Sequence, residues 1–144
     1  QVVLSGLNID IEKFIDTLKA KKIKNIKLPV SAPFHCKLMD KATSIMRDKI
    51  SDTNFKKPKN IIISNVTGSE TQEIEQIKDL LIKQIESPVR WRESVIYMIK
   101  NGVTNFIEIG PGKVLSGLVK RIDKTINVNT INKLEDLKDI KFND

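Results

Sequence analysis

The sequence is poor in the residues that build many functional sites. Its 144 residues include one cysteine, Cys36, and one histidine, His35. An internal disulfide is therefore excluded, and so are zinc sites that need several cysteine and histidine ligands. We expect no metal site in this chain.

Long hydrophobic runs and aromatic residues are also scarce. No apolar segment approaches the roughly 20 residues of a membrane-spanning helix, and the first residues lack the pattern of a signal peptide. These features predict a soluble, cytoplasmic protein with no membrane partner. The net charge of +7 permits attraction to an acidic partner. One Trp and one Tyr make no stacking platform, so we do not expect that partner to be nucleic acid.

Apolar residues recur with periods that predict alternating strands and helices. Strands are predicted at residues 2–4, 25–30, 61–63, 105–109 and 126–131. Helices are predicted around residues 11–18, 38–51, 74–85, 91–98, 114–122 and 134–140. This alternation, with short loops, predicts an α/β fold with a largely parallel sheet. The uninterrupted apolar run at 61–63 is typical of a strand buried on both faces.

The only histidine follows a predicted strand and a proline-containing turn. Residues 29–35, PVSAPFH, lead from the strand to the start of the next predicted helix. Ligands of open α/β sheets bind at such strand ends. The positive end of a helix favours the neutral imidazole that a general base needs. A lone histidine at a helix start is also common as a surface or capping residue, so the local pattern leaves both interpretations open.

Other polar segments allow a structural and a functional interpretation. Residues 110–113, GPGK, lack the third glycine of a dinucleotide-binding loop and the Ser or Thr of a P-loop. A strand-to-helix turn is favoured there, although free N–H groups at the helix start could meet a phosphate or carboxylate. Asn65 is by default a turn residue, with ligand contact as the alternative. Lys120 and Arg121 most simply compensate the helix dipole.

Four segments together resemble the malonyl-CoA:acyl carrier protein transacylase family of type II fatty acid synthesis and the acyltransferase domains of polyketide synthases. They are residues 28–35 (LPVSAPFH), 64–66 (SNV), 84–91 (QIESPVRW) and 108–118 (EIGPGKVLSGL). They occur in the order and with the approximate spacing of the family. The resemblance covers residue 1 to about residue 132.

The resemblance implies an α/β fold in two parts. Residues 29–144 are expected to form the C-terminal part of a hydrolase-like, parallel-sheet acyltransferase core, and residues 1–28 the second half of a ferredoxin-like small subdomain. No serine of this chain has the two flanking glycines of a Gly-x-Ser-x-Gly nucleophile elbow. The nucleophilic serine is therefore expected in a missing N-terminal half, and this chain alone is expected to be inactive.

The implied function is transfer of a malonyl group from malonyl-CoA to the phosphopantetheine thiol of acyl carrier protein in fatty acid biosynthesis. The implied mechanism is a Ser–His ping-pong reaction in which the coenzyme A thioester is a substrate and no cofactor takes part. His35 matches the general base. Gln84 matches the residue whose main-chain carbonyl holds the far ring nitrogen of that histidine.

The resemblance also implies binding residues. Phe34 matches a substrate-binding position whose large ring leaves no room for a branched acyl group, and Asn65 a position near the acyl or pantetheine path. Lys120 and Arg121 match basic residues suited to an acidic carrier protein. The alternative function is a non-catalytic docking module for acyl carrier protein.

Overall fold

The structure is a computed structural model that describes residues 2–140. In chain order its elements are α1 (Asn8–Ala20), a 3₁₀ turn (Lys37–Met39), α2 (Asp40–Asp52), β1 (Ile62–Ile63), β2 (Glu70–Thr71), α3 (Ile74–Lys83), α4 (Trp91–Lys100), β3 (Asn105–Ile109), α5 (Val114–Ile122), β4 (Asn127–Ile131) and a second 3₁₀ turn (Leu134–Asp139). The chain divides into two compact units, residues 1–89 and 90–144. Residue 1 and residues 141–144, which the predicted domain ranges include, lie outside the described residues. No helix of the described part is long and apolar enough to cross a membrane.

The first unit is built around two packed helices and a short hairpin. α2 packs against α3. The apolar positions buried in these helices are Ile50, Ile77, Leu80 and Ile82. β1 and β2 pair antiparallel, with Ile62 opposite Thr71. The turn between these strands begins at the buried Ser64, and it carries Asn65.

The second unit is a β–α–β arrangement with an additional helix. β3 and β4 are parallel, in register from Asn105 opposite Asn127 to Ile109 opposite Ile131. α5 connects the two strands and packs against both, and α4 packs against α5. Val95, Val119 and Ile126 form the buried core of this unit. The predicted α/β class with a parallel sheet is confirmed.

Two predicted strands are absent from the structure. Residues 2–4 and 25–30 are extended or irregular, and no backbone hydrogen bond pairs either segment with another strand in the described part of the chain. Apolar residues alone do not make a strand, because its N–H and C=O groups need a neighbouring chain. The domain boundary predicted between residues 28 and 29 stays a prediction.

Two further expectations are wrong in detail. The strand at 61–63 is not buried on both faces. Within the described residues β1 pairs only with β2, and Ile61 and Ile62 remain 56% and 41% exposed. His35 does not lie at the start of a long helix. The three-residue 3₁₀ turn comes first, and α2 begins at Asp40. A helix dipole acts mainly within the first turn, so the dipole of α2 gives no reason for the His35 imidazole to be neutral.

Candidate active site

His35 is attached to the C-terminal end of α3 by two hydrogen bonds. Its backbone N–H donates to the carbonyl of Ile85 at 3.2 Å. Its ring atom Nδ1 lies 2.8 Å from the carbonyl oxygen of Gln84. The last carbonyls of a helix lack partners within the helix, so these two oxygens are available as acceptors. Two consecutive carbonyls thus fix both the backbone and the ring of His35.

The backbone of His35 is in the left-handed region, with φ of 62°. A residue other than glycine adopts this conformation at a cost of about 1–3 kcal/mol and keeps it only when its surroundings enforce it. The two bonds to the end of α3 provide that enforcement. Left-handed residues of this kind cluster at functional sites.

The bond to Gln84 determines which ring nitrogen carries a proton. A carbonyl oxygen can only accept, so Nδ1 must donate its proton to it. In the neutral imidazole Nε2 is then unprotonated and is the acceptor. His35 is exposed, and no described residue contacts Nε2 by a hydrogen bond. The geometry leaves Nε2 able to take a proton from an incoming group, which is what a general base requires.

Gln84 makes a second contact through its side chain. The amide group of Asn65 donates from Nδ2 to Oε1 of Gln84 at 3.3 Å. The structure therefore brings three of the predicted site residues together: His35, Gln84 and Asn65. Gln84 stands between the other two, with its main chain on one side and its side chain on the other.

An open apolar groove of about 550 Å³ begins beside His35. It runs between α2 and the end of α3. Besides His35 and Gln84, its walls include Phe34, Met39, Met46, Leu81 and Ile85. Phe34, the predicted substrate-binding residue, lines this groove and is 51% exposed. The groove can receive an apolar group next to the histidine ring.

Sequence reasoning missed Glu108, which organises the Gly-Pro-Gly loop of the second unit. Its carboxylate accepts hydrogen bonds from the N–H groups of Leu115 at 3.1 Å and Ser116 at 2.7 Å. The N–H of Gly112 donates to Oδ1 of Asn132 at 2.6 Å. The N–H groups of Leu115 and Ser116 at this helix start, where a phosphate or carboxylate could have bound, therefore meet a carboxylate of the chain itself. An acidic residue at the strand end before the loop was the available signal in the sequence.

The acidity of Glu108 follows from these contacts. The nearby Ser116 hydroxyl, then the N–H groups of Ser116 and Leu115, lower the pKa of Glu108 below its ordinary value, although only the two N–H groups are within hydrogen-bond geometry of the carboxylate. A carboxylate at a helix N-terminus is stabilised because the donors and the dipole both favour negative charge. The ionised form of Glu108 thus holds the beginning of α5.

This interaction predicts a pH-dependent contribution to stability. Because the pKa of Glu108 is lower in the folded than in the unfolded chain, its contribution is present above the unfolded value of about 4.3 and is lost as the pH falls. We expect Glu108→Gln to lower the melting temperature at pH 7. The difference in melting temperature between the variant and the unmodified protein should narrow below about pH 4. Thermal unfolding followed by circular dichroism from pH 7 to 3 measures this difference in melting temperature.

Glu135→Gln is the matched control for this test. Glu135 is an exposed carboxylate of the same unit and makes no hydrogen bond or ion pair with a described residue. It should leave the melting temperature nearly unchanged at every pH. If the melting temperature of Glu108→Gln stayed below that of the unmodified protein by a constant amount across the pH range, the role of the carboxylate would be contradicted.

The two predicted carrier-binding residues differ in their surroundings. The ammonium of Lys120 donates to the carbonyls of Lys124 and Ile126, joining the end of α5 to the loop that follows it. Arg121 is exposed, and its guanidinium has no hydrogen-bond or ion-pair partner in the described part of the chain. Lys120 therefore stabilises the end of α5, and the guanidinium of Arg121 is the more accessible of the two charges for a partner. Their contact with a carrier protein stays a prediction.

Within residues 2–140, no group of three or more His, Cys, Asp or Glu side chains is placed to hold a metal ion.

No family model matches the chain. Among curated proteins, the malonyl CoA-acyl carrier protein transacylase of Bacillus subtilis is 39% identical over 139 residues, which are 96% of this chain and 44% of that protein. The crystal structure of a malonyl CoA-acyl carrier protein transacylase from Clostridium perfringens has a TM-score of 0.85 and 39% identity, covering 92% of this chain and 42% of that one. A malonyl-transacylase solved in complex with its type II PKS acyl-carrier protein has a TM-score of 0.86 and 35% identity, covering 92% of this chain and 43% of that one.

These relatives, which are 35–39% identical to the chain, are transacylases, a class of acyltransferase. The chain belongs to the malonyl CoA-acyl carrier protein transacylase family and matches the C-terminal half of its relatives. It spans less than half of the Bacillus subtilis protein, 44% of its length.

Proposed function

We propose that this chain supplies the general base for transfer of a malonyl group from malonyl-CoA to the phosphopantetheine thiol of acyl carrier protein. The base is His35. The observation that carries the proposal is the 2.8 Å contact between Nδ1 of His35 and the main-chain oxygen of Gln84. That contact leaves Nε2 as the free acceptor. The nucleophilic serine belongs to a segment outside these 144 residues.

In the first half-reaction, Nε2 of His35 takes the proton of the serine hydroxyl as the oxygen attacks the thioester carbonyl of malonyl-CoA. The imidazolium that forms is stabilised because Nδ1–H points at the carbonyl oxygen of Gln84. The carbon–sulfur bond then breaks, and the proton on Nε2 passes to the departing thiolate of coenzyme A. The malonyl group remains on the serine as an ester.

In the second half-reaction, the same nitrogen acts on a different thiol. Nε2 takes the proton of the phosphopantetheine thiol, and the thiolate attacks the malonyl ester. The carbon–oxygen bond breaks, and the proton returns from Nε2 to the serine oxygen. The reaction restores the enzyme and needs no cofactor, since the coenzyme A thioester is itself the substrate. We place the reaction in the cytoplasm.

Binding of the two substrates is assigned to exposed residues. Phe34 lines the groove beside His35, where its ring would limit the size of the acyl group. The overall charge of +7 and the exposed Arg121 suit an acidic carrier protein. A solved relative in complex with its acyl-carrier protein supports this choice of partner.

The proposal is tested with a fusion protein. The N-terminal part of the Bacillus subtilis relative is joined to residue 1 of this chain, and malonyl transfer to carrier protein is followed by intact mass. We expect the fusion to form malonyl carrier protein and the 144-residue chain alone to form none. Transfer by the chain alone would show that the serine is not required from outside.

The same experiment separates the alternative, a non-catalytic docking module for acyl carrier protein. A docking module would bind carrier protein in an NMR titration at low salt, and its fusion would form neither a malonyl-serine ester nor malonyl carrier protein. A correctly folded fusion that is inactive but binds carrier protein would overturn the catalytic proposal in favour of this alternative.

A further inference from the structure

We propose that Asn65 is a positioning residue that acts on His35 through Gln84. This inference rests on the proposed function, because it concerns the orientation of the general base. Asn65 was expected to contact substrate. Its side-chain amide instead donates from Nδ2 to Oε1 of Gln84 at 3.3 Å, and the main-chain oxygen of that same Gln84 lies 2.8 Å from Nδ1 of His35.

The orienting carbonyl lies where a helix is least rigid. α3 ends at Lys83, so Gln84 is the first residue beyond it. Gln84 N–H donates to Leu80 at 3.0 Å, whereas the next two hydrogen bonds are longer, with 3.3 Å from Ile85 N–H to Ile82 and 3.2 Å from Glu86 N–H to Lys83. Helix ends of this kind fray. Without another attachment, the Gln84 carbonyl would not keep one direction toward the histidine ring.

Asn65 provides that attachment from a rigid turn. The turn between β1 and β2 is closed by hydrogen bonds from Ser64 N–H to Ser69 at 3.0 Å and from Gly68 N–H to Ser64 at 2.8 Å. The Ser64 hydroxyl is buried and accepts from Val66 N–H at 3.1 Å. Asn65 therefore extends from a turn whose backbone is held on both sides. A side chain on such a support can fix the residue that it contacts.

The single histidine of the chain makes the proposal measurable without substrate. With one His in the sequence, ¹⁵N-labelled histidine gives ring signals from His35 alone. The shifts of Nδ1 and Nε2 report which nitrogen carries the proton. The contact with the Gln84 carbonyl predicts a predominant Nδ1–H form of the neutral ring. A residue that only contacts substrate cannot change this ratio in a substrate-free protein.

The test compares Asn65→Ala, Gln84→Leu and the double variant. Gln84→Leu removes the side-chain acceptor and keeps the main-chain carbonyl. We expect each single variant to lower the ratio of Nδ1–H to Nε2–H by about two- to tenfold, the change that loss of one hydrogen bond allows. The double variant should lower it no further than either single variant, since both remove the same interaction. Gln84→Glu keeps an oxygen for Asn65 and should retain the original ratio.

Thr67→Ala is the matched control. Thr67 lies in the same turn, and among residues 2–140 its hydroxyl forms hydrogen bonds with Ser69 alone. It should leave the ratio unchanged. The backbone amide spectrum verifies folding of each variant. If Asn65→Ala unfolds the chain, Asn65→Ser, whose side chain is too short to reach Gln84, replaces it.

An unchanged tautomer ratio in a folded Asn65 variant would overturn the inference, as would additive effects in the double variant. Both results are independent of whether the fusion protein transfers malonate. An inactive fusion with the expected tautomer shifts would remove the proposed function and leave the positioning by Asn65 intact.

Discussion

Replacing His35 with alanine in the fusion protein is expected to lower the rate of malonyl transfer by about 10²- to 10⁴-fold, the range that a positioned general acid–base contributes. The imidazole takes and returns a proton in both half-reactions, so both should slow. This chain contributes no second histidine to the fusion. Rapid-quench measurement of the malonyl-serine ester and of malonyl carrier protein separates the two steps.

Two variants serve as controls for the His35 substitution. Gln84→Ala keeps the main-chain carbonyl and should be milder than His35→Ala. Cys36→Ser changes the neighbouring residue, whose thiol donates to the carbonyl of Pro33 at 3.2 Å rather than to the His35 ring. It should retain transfer. A His35→Ala fusion with more than about a tenth of the original rate would contradict the role of a general base.

The second unit was largely predictable from the sequence because its signals are local. The apolar run at 105–109, the Gly-Pro-Gly turn and the helical spacing that follows predicted β3, α5 and β4 nearly to the residue. A parallel β–α–β arrangement follows from that order alone. The first unit was less predictable. Residues 2–4 and 25–30 have the composition of strands, but composition does not specify the neighbouring chain with which a strand must pair.

The candidate site shows the same division between local and non-local information. The order of the segments that resemble the family pointed to His35 and Gln84, and the structure places Nδ1 of His35 2.8 Å from the main-chain oxygen of Gln84. No sequence pattern predicts that a histidine adopts φ of 62°, because the left-handed region is normally occupied by glycine. The Asn65–Gln84 contact spans 19 residues, and it depends on how a hairpin turn meets the end of a helix. The hydrogen bonds from Leu115 and Ser116 to Glu108 likewise depend on the folded position of α5.

Replacing Val95 with aspartate is expected to unfold the second unit. Val95 in α4 is fully buried, with 0% exposure, and lies in the core with Val119 and Ile126. A carboxylate at this position would be buried without a partner, a defect that costs about 3–5 kcal/mol. Whole domains are stable by only about 5–15 kcal/mol, and a unit of this size lies at the low end. The loss is therefore comparable with the whole stability of the unit.

The single tryptophan reports on this unit directly. Trp91 is the only Trp of the chain and packs against the core that contains Val95. In Val95→Asp its fluorescence emission should shift to the red at 25 °C without denaturant, as it does for the unmodified protein only in urea. Val114→Asp makes the same chemical change at a valine of this unit that is 72% exposed, and it should leave the emission and the urea midpoint nearly unchanged. Equal urea midpoints for the two variants would mean that Val95 does not lie in a close-packed core, because only a buried position distinguishes two otherwise identical substitutions.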